Sequence, residues 1–206
     1  MFKASFRTAS LLTPLFLLLA FLQQPTVNAQ TLPSNEIQIA GAVSPAPSDL
    51  KDDARVLGYN ADGDLIEIRS GTNDFTCLAD NPFDDRFHAA CYKNTMDAFM
   101  SRGRELSKEG KNRNESREIR LQEIEAGKIK MPEEPAALYQ LFGQASSLNM
   151  ETGEVTDVRP LYVMYMPYAT TESTGLSTQA PMEGAPWLMD AGLPWAHIMY
   201  SPGAGN

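Results

Sequence analysis

The sequence predicts an α+β fold, an antiparallel sheet of about five to six strands with two central helices packed on one face. Three observations lead there. Short β-prone runs separated by Asn, Asp and Gly open the domain. Two segments of helical period follow. β-prone runs with tight turns then return and continue to the C-terminus.

Ala54 to Tyr59 and Leu65 to Arg69 read as a hairpin. Asn60-Ala61-Asp62-Gly63 between them supplies residues that tolerate left-handed backbone angles. Ser70-Gly71-Thr72-Asn73 makes a second turn, and Phe75 to Leu78 a third strand. Asn94 is placed to cap a helix on which Met96, Phe99, Met100 and Leu106 share one face, with Gly110 as its stop. A second helix spans Asn114 to Ala126, ended by Gly127. Its apolar residues, Ile119, Leu121 and Ile124, are few, so most of its surface should be wet. Pro132 and Pro135 break the chain there. Ala137 to Phe142, the continuously apolar Leu161 to Met166, Pro186 to Met189 and Trp195 to Tyr200 are the later strands. Pro167 to Pro186, rich in Thr, Ser, Gly and Pro, is a long loop of the kind that is usually functional or disordered.

Ahead of the domain the chain reads as an export signal. Lys3 and Arg7 precede an apolar run from Leu11 to Leu22, and Val27 and Ala29 give the small-residue spacing of a cleavage site. Residues 1–29 are therefore expected to be a signal peptide cut between Ala29 and Gln30. The apolar run is too short for a membrane span, which needs about 20 residues. Residues 30–50, with Pro33, Pro45 and Pro47, read as a flexible leader with one edge strand at Ile37 to Val43, and 51–206 as a single α+β domain.

The net charge is −9, and the signal segment holds two of the 17 basic residues and none of the 26 acidic ones, which leaves −11 for the remainder. Such an acidic chain repels phosphate backbones and anionic lipid, so nucleic acid and membrane surfaces are poor partners. Basic residues concentrate in 102–130, a pattern that reads as a solvated helix face. The chain has two cysteines, Cys77 and Cys91. In an oxidising compartment this isolated pair is expected to form a disulfide, worth about 3 kcal/mol for a loop of this length. Between them, Leu78 to Ala90 reads as irregular structure held by that staple.

Candidate chemistry is sparse. His197 and Met199 alternate on one strand, as do Met164 and Met166 on another. If those strands pair, one face would gather an imidazole, thioethers and Trp195, a soft ligand set that selects Cu(I). The set is similar to that of small periplasmic copper chaperones, which use one His, a Met-x-Met pair and a Trp. Here some thirty residues separate Met164 and Met166 from Trp195. Core packing is the preferred reading of these residues, and copper stays a speculative cofactor. His88 and Cys91 would make a Cys–His nucleophile pair only if the disulfide were absent. Cys77, His88 and Cys91 lack the close Cys spacing of structural zinc. Asn60, Asp62 and Asp64 begin like a calcium loop, but Leu65 and Gly71 stand where Gly and Glu are needed. No serine-hydrolase, P-loop or dinucleotide motif occurs.

Gly71 to Cys77 (GTNDFTC), Tyr165 to Thr170 (YMPYAT) and Gly192 to Met199 (GLPWAHIM) together resemble a group of uncharacterised exported bacterial proteins. In that group a strand carrying FTC follows a hairpin, and an aromatic/His strand lies near the C-terminus. The resemblance covers most of residues 54–200 and implies export, a single domain and a second Cys matching Cys91, with no activity attached. The reading is therefore a periplasmic or extracellular, non-catalytic binding or accessory domain with one disulfide, no catalytic residue and no confident metal ligand. Its partner is a protein or a small molecule, and it does not insert in the membrane once the signal is cut. The C-terminal strands are its expected ligand surface, with Pro167–Pro186 as a lid. The alternatives are an exported hydrolase whose carboxylates converge only in three dimensions, and a periplasmic Cu(I)-binding protein. A polar cleft with clustered carboxylates or His88 would favour the enzyme; an apolar groove or soft-ligand cluster would favour the binding module.

Overall fold

The structure, a computed structural model, describes residues 1, 3 and 32–202. The apolar run Leu11 to Leu22 and the Ala29–Gln30 junction lie outside the described residues. Among the described residues, no helix is long and apolar enough to cross a membrane.

The fold is α+β, built on a mixed sheet of eight strands rather than five to six. The elements, in chain order, are α1 (Asn35–Val43), β1 (Arg55–Tyr59), β2 (Leu65–Arg69), β3 (Phe75–Leu78), β4 (Arg86–Lys93), α2 (Asp97–Lys108), α3 (Arg113–Glu125), β5 (Ala136–Gln144), β6 (Arg159–Tyr165), α4 (Thr171–Thr174), β7 (Trp187–Met189) and β8 (His197–Tyr200). The strand order is β2-β1-β3-β4-β5-β6-β8-β7. Every neighbouring pair is antiparallel except β1 and β3. That parallel pair arises because the β1–β2 hairpin folds to the outside, so the chain must recross the start of β1 to begin β3. Gly71 makes the crossing: a Cβ there would stand 2.2 Å from the Arg55 nitrogen. Only glycine permits backbone to approach backbone so closely.

Two of the added elements lie where irregular chain was expected. Residues 35–43, expected as flexible leader and edge strand, form α1. Ser34 caps it, accepting from the Ile37 N–H, and Glu36 sits in its first turn. Gln38 is buried, and its amide bonds both the N–H and the C=O of Tyr59 at the end of β1. Small residues, Gly41 and Ala42, let the helix lie close to the sheet. The second is β4, in the segment expected to be irregular; only residues 79–85 are. Phe87, Ala89 and Cys91 point to the α1 side, and Ala90 and Tyr92 to the other, so the strand is buried on both faces.

Cys77 and Cys91 face each other across the β3–β4 ladder and are joined in a disulfide, both fully buried beneath α1. The opposite face carries the main core. There Phe99, Met96, Leu121 and Ile124 of the helical segment pack on Ala90, Tyr92, Leu138, Val163, Tyr165 and Trp195. The expected cap Asn94 opens a single 3-10 turn instead. Its side chain accepts from the Thr76 hydroxyl, 2.7 Å away, while Asn112 closes a capping box on α3. The basic segment 102–130 is this helical hairpin. It pairs in part with itself, Arg102 with Glu105, Glu109 and Glu123, and in part with the acidic body through Lys108–Asp64 and Arg117–Asp190.

Candidate functional site

Strand register decides which candidate residues meet. Val163 lies opposite Met199, and Tyr165 opposite His197, so His197 and Met199 face the helices. Met164 lies opposite Ile198 on the reverse face, and Met166 packs there with Ile198 and Leu188. The four residues of the copper set are therefore split between two faces of the sheet, because their strands pair with odd and even positions out of phase for convergence. His197 Nδ1 donates to the Trp195 carbonyl at 2.8 Å, and its ring packs on Tyr165. Burial lowers its pKa, favouring the neutral ring. Around it Asp190 accepts two bonds from Arg117 at 2.7 and 2.8 Å and one from the Trp195 indole at 3.0 Å. The Phe99 and Trp195 rings stack, and the Arg120 guanidinium covers Phe99 at 4.1 Å. This end of the helical face is packed shut. Nor does the Pro167–Pro186 loop close over an opening: Leu176 packs against Leu188, Ala196 and Ile198 on the reverse face.

The other cysteine-linked candidates also separate. Cys91 is consumed in the disulfide and His88 points to the opposite face, so neither a nucleophile pair nor a zinc set forms. Among the described residues, no three His, Cys, Asp or Glu side chains come together as a metal site. Asn60 accepts from the backbone of Asp62 and Asp64, which makes the expected turn rather than a calcium loop.

His88 instead lies in an open cleft of about 890 Å³, within the range of small-molecule sites. The cleft occupies the end of the helical face that α2 and α3 leave uncovered. Its floor is one transverse row of the sheet. Leu65 pairs with Tyr59, and His88 with Phe142, which in turn faces Arg159. Continuing the β3 register by two residues brings Asp80 beside His88, and the Asp80 carboxylate accepts the His88 backbone N–H at 2.7 Å. The His88 and Phe142 rings stack at 4.5 Å, nearly coplanar in orientation at 11°. His88 Nε2 donates to Gln140 Oε1 at 3.0 Å, which leaves Nδ1 with its lone pair in the neutral ring. Three elements each contribute an arginine: Arg86 from β4, Arg104 from α2 and Arg159 from β6. Among the described residues, Arg86 and Arg159 enter no salt bridge, whereas Arg104 reaches Asp97 and the Tyr92 hydroxyl.

Electrostatics follow from partial enclosure. Burial pushes the Asp80 carboxyl up to about 6, and Asp84 adds to the rise, while the N–H groups of His88 and Asn81 oppose it. The His88 ring has an exposed edge, yet the cleft walls strip part of its hydration and lower its pKa; Arg86 acts in the same direction. The Tyr59 hydroxyl is raised by burial and by Asp80 and Asp84. Asp157 completes the acidic lining, and among the described residues no Ser, Thr or Cys lines the cleft. Sequence reading missed the site because Asp80 and Asp84 looked like loop chemistry. The signal that could have found it is Arg86-Phe87-His88, an alternation that places a guanidinium and an imidazole on one strand face.

No protein-family model, no curated protein and no solved structure matches the chain.

Proposed function

We propose that the protein is an exported binding domain, without a catalytic step of its own, that holds a small anionic ligand in the cleft over the His88–Phe142–Arg159 row. One observation carries this reading: an open cleft with an aromatic floor into which three elements each send an arginine. Guanidinium groups bind carboxylate and phosphate through paired N–H donors, and a stacked His–Phe pair offers an apolar surface beside them. The disulfide supports an oxidising compartment.

Phenyl phosphate is the probe for this reading. It is expected to raise the thermal midpoint of the protein saturably, and Arg159→Ala or His88→Ala to weaken its binding at least tenfold. Failure of phenyl phosphate, benzoate and inorganic phosphate alike to shift the midpoint at millimolar concentration would overturn it.

A second reading, an exported hydrolase, is favoured by one observation: Asp80, held near pKa 6, shares the cleft with His88, Asp84 and Asp157. With no Ser, Thr or Cys on the lining among the described residues, and the Tyr59 phenol kept protonated by its raised pKa, water would attack, with Asp80 as the acid. Turnover of p-nitrophenyl phosphates, esters or glycosides, lost in Asp80→Asn, would transfer support to it.

A further inference from the structure

A second cavity of about 330 Å³ adjoins the cleft. Ala79, Asp80, Asn81 and Asp84 line both, so one chain segment is the wall between them. The partition has a second point: Gln144 lines the cleft, and the next residue, Ala145, lines the smaller cavity. The smaller cavity lies on the α1 side, against Gln38 and Gly41, and borders the cleft along this segment and the end of β5.

Their chemistry differs. Beyond the shared residues, the smaller cavity is walled by Pro33, Gly41, Pro82, Ala145, Leu148 and Met150, all without a polar side chain. Its one other polar residue, Gln38, spends its amide on the backbone of Pro33 and Tyr59. A ligand entering it meets carbon on the far walls and polar groups only at the shared partition. The cleft, by contrast, presents Arg86, Arg159 and Gln144 at the β5 end, next to that partition. Asp80 is set apart from Arg159: β4 and β5 stand between them, so the two belong to strand positions roughly 14 Å apart at about 4.8 Å per strand. Asp84, which accepts the Arg86 backbone N–H at 2.9 Å, and Asp157 share the cleft with the arginines.

We infer that the ligand is an amphiphile, with an anionic head beside Arg86 and Arg159 and a short apolar chain reaching past Ala145 into the smaller cavity. This rests on the cleft being the binding site. Head and chain need each other. The arginines alone would accept any small anion, and the apolar cavity alone would accept any small hydrocarbon. Together they select by charge and by length.

The test is a calorimetric titration of the exported protein with the n-alkyl phosphates from ethyl to dodecyl, each below its micelle concentration. Affinity is expected to rise about fourfold per added methylene, the factor that burial of one CH₂ supplies, and then level off when the cavity is full. Ala145→Trp, at an exposed position on the wall, should bring the plateau at a shorter chain. Met150→Trp, also exposed, is the second plug should the first fail to fold. Arg159→Ala should weaken every member of the series by the same factor. Equal affinity for ethyl and decyl phosphate would overturn the inference while leaving the cleft reading intact, since phenyl phosphate would still bind. A rise with chain length that both plugs leave unchanged would overturn it too, by placing the chain elsewhere. Absence of binding by phenyl phosphate and every alkyl phosphate would defeat both readings.

Discussion

His197 and His88 are the chain's two histidines, and both stand on the helical face of the same sheet. Each sits beside an aromatic ring, and each is held toward the neutral form by loss of hydration. They differ in what lies above them. Over His197 the helices and the turn before β8 close down with Phe99, Arg117, Arg120 and Trp195, and Asp190 bonds both the Arg117 guanidinium and the Trp195 indole. Over His88, among the described residues, the helices contribute Arg104 alone to the cleft lining, and the space is left open. They also hold opposite tautomers, Nδ1–H bonded to the Trp195 carbonyl in one and Nε2–H bonded to Gln140 in the other. A histidine near aromatics is therefore no signal by itself. Coverage separates the structural ring from the ring available to a ligand.

Removing the cover is the strongest way to break this comparison. Phe99→Ala takes a buried ring from between Trp195 and Arg120. It should cost about 3–5 kcal/mol in urea unfolding, while phenyl phosphate still binds the folded fraction with unchanged affinity. A comparable loss of binding would show that the two ends are one site. Asp190→Ala comes next. It strands the Arg117 guanidinium and the Trp195 indole N–H, for a loss of about 2 kcal/mol, again read by urea unfolding and again without effect at the cleft. The smallest effect belongs to the open end. The fold raises the Asp80 pKa from 3.8 to about 6, so it favours the protonated carboxyl. That contribution is whole below pH 4, fades as pH rises toward 6, and leaves an ionised, poorly hydrated carboxylate above it. Asp80→Asn keeps an oxygen for the His88 N–H. It should melt with the parent at pH 4 and a few degrees above it at pH 7.5, the shift expected for a partly exposed group. The two histidines act in the opposite sense, since their lowered pKa values cost stability as pH falls below 6.5. The difference between parent and variant isolates Asp80 from that background. Equal midpoints at both pH values would remove Asp80 as a perturbed group.

Much of the fold was legible because local chemistry and final structure agree. The hairpin turn at Asn60–Gly63, the apolar faces of α2 and α3, and the glycine stops at Gly110 and Gly127 all act within a few residues. The paired cysteines were legible for the same kind of reason, a compartment rule applied to two residues. What was not legible depends on distant partners. α1 hides its buried face behind Gln38, whose amide bonds the Pro33 carbonyl and both backbone groups of Tyr59, twenty-one residues away. β4 hides behind Ala89 and Ala90, poor strand formers that are buried because α1 and the helical hairpin sandwich them. The cleft was illegible because the row Tyr59–Asp80–His88–Phe142–Arg159 exists only once five strands are in register. The copper set is divided between the two faces by the converse argument: alternation holds within each strand, but the phase between β6 and β8 is set by pairing.

The disulfide has one more consequence. Cys77 and Cys91 close a ring that contains the whole segment from Leu78 to Ala90, including the partition between the two cavities. A protease that cut the exposed stretch between Asp84 and Asp85 would sever the backbone without separating the pieces. Both new ends would stay tethered to the centre of the sheet. The wall of the site would gain freedom to move while the body of the protein stayed covalently whole.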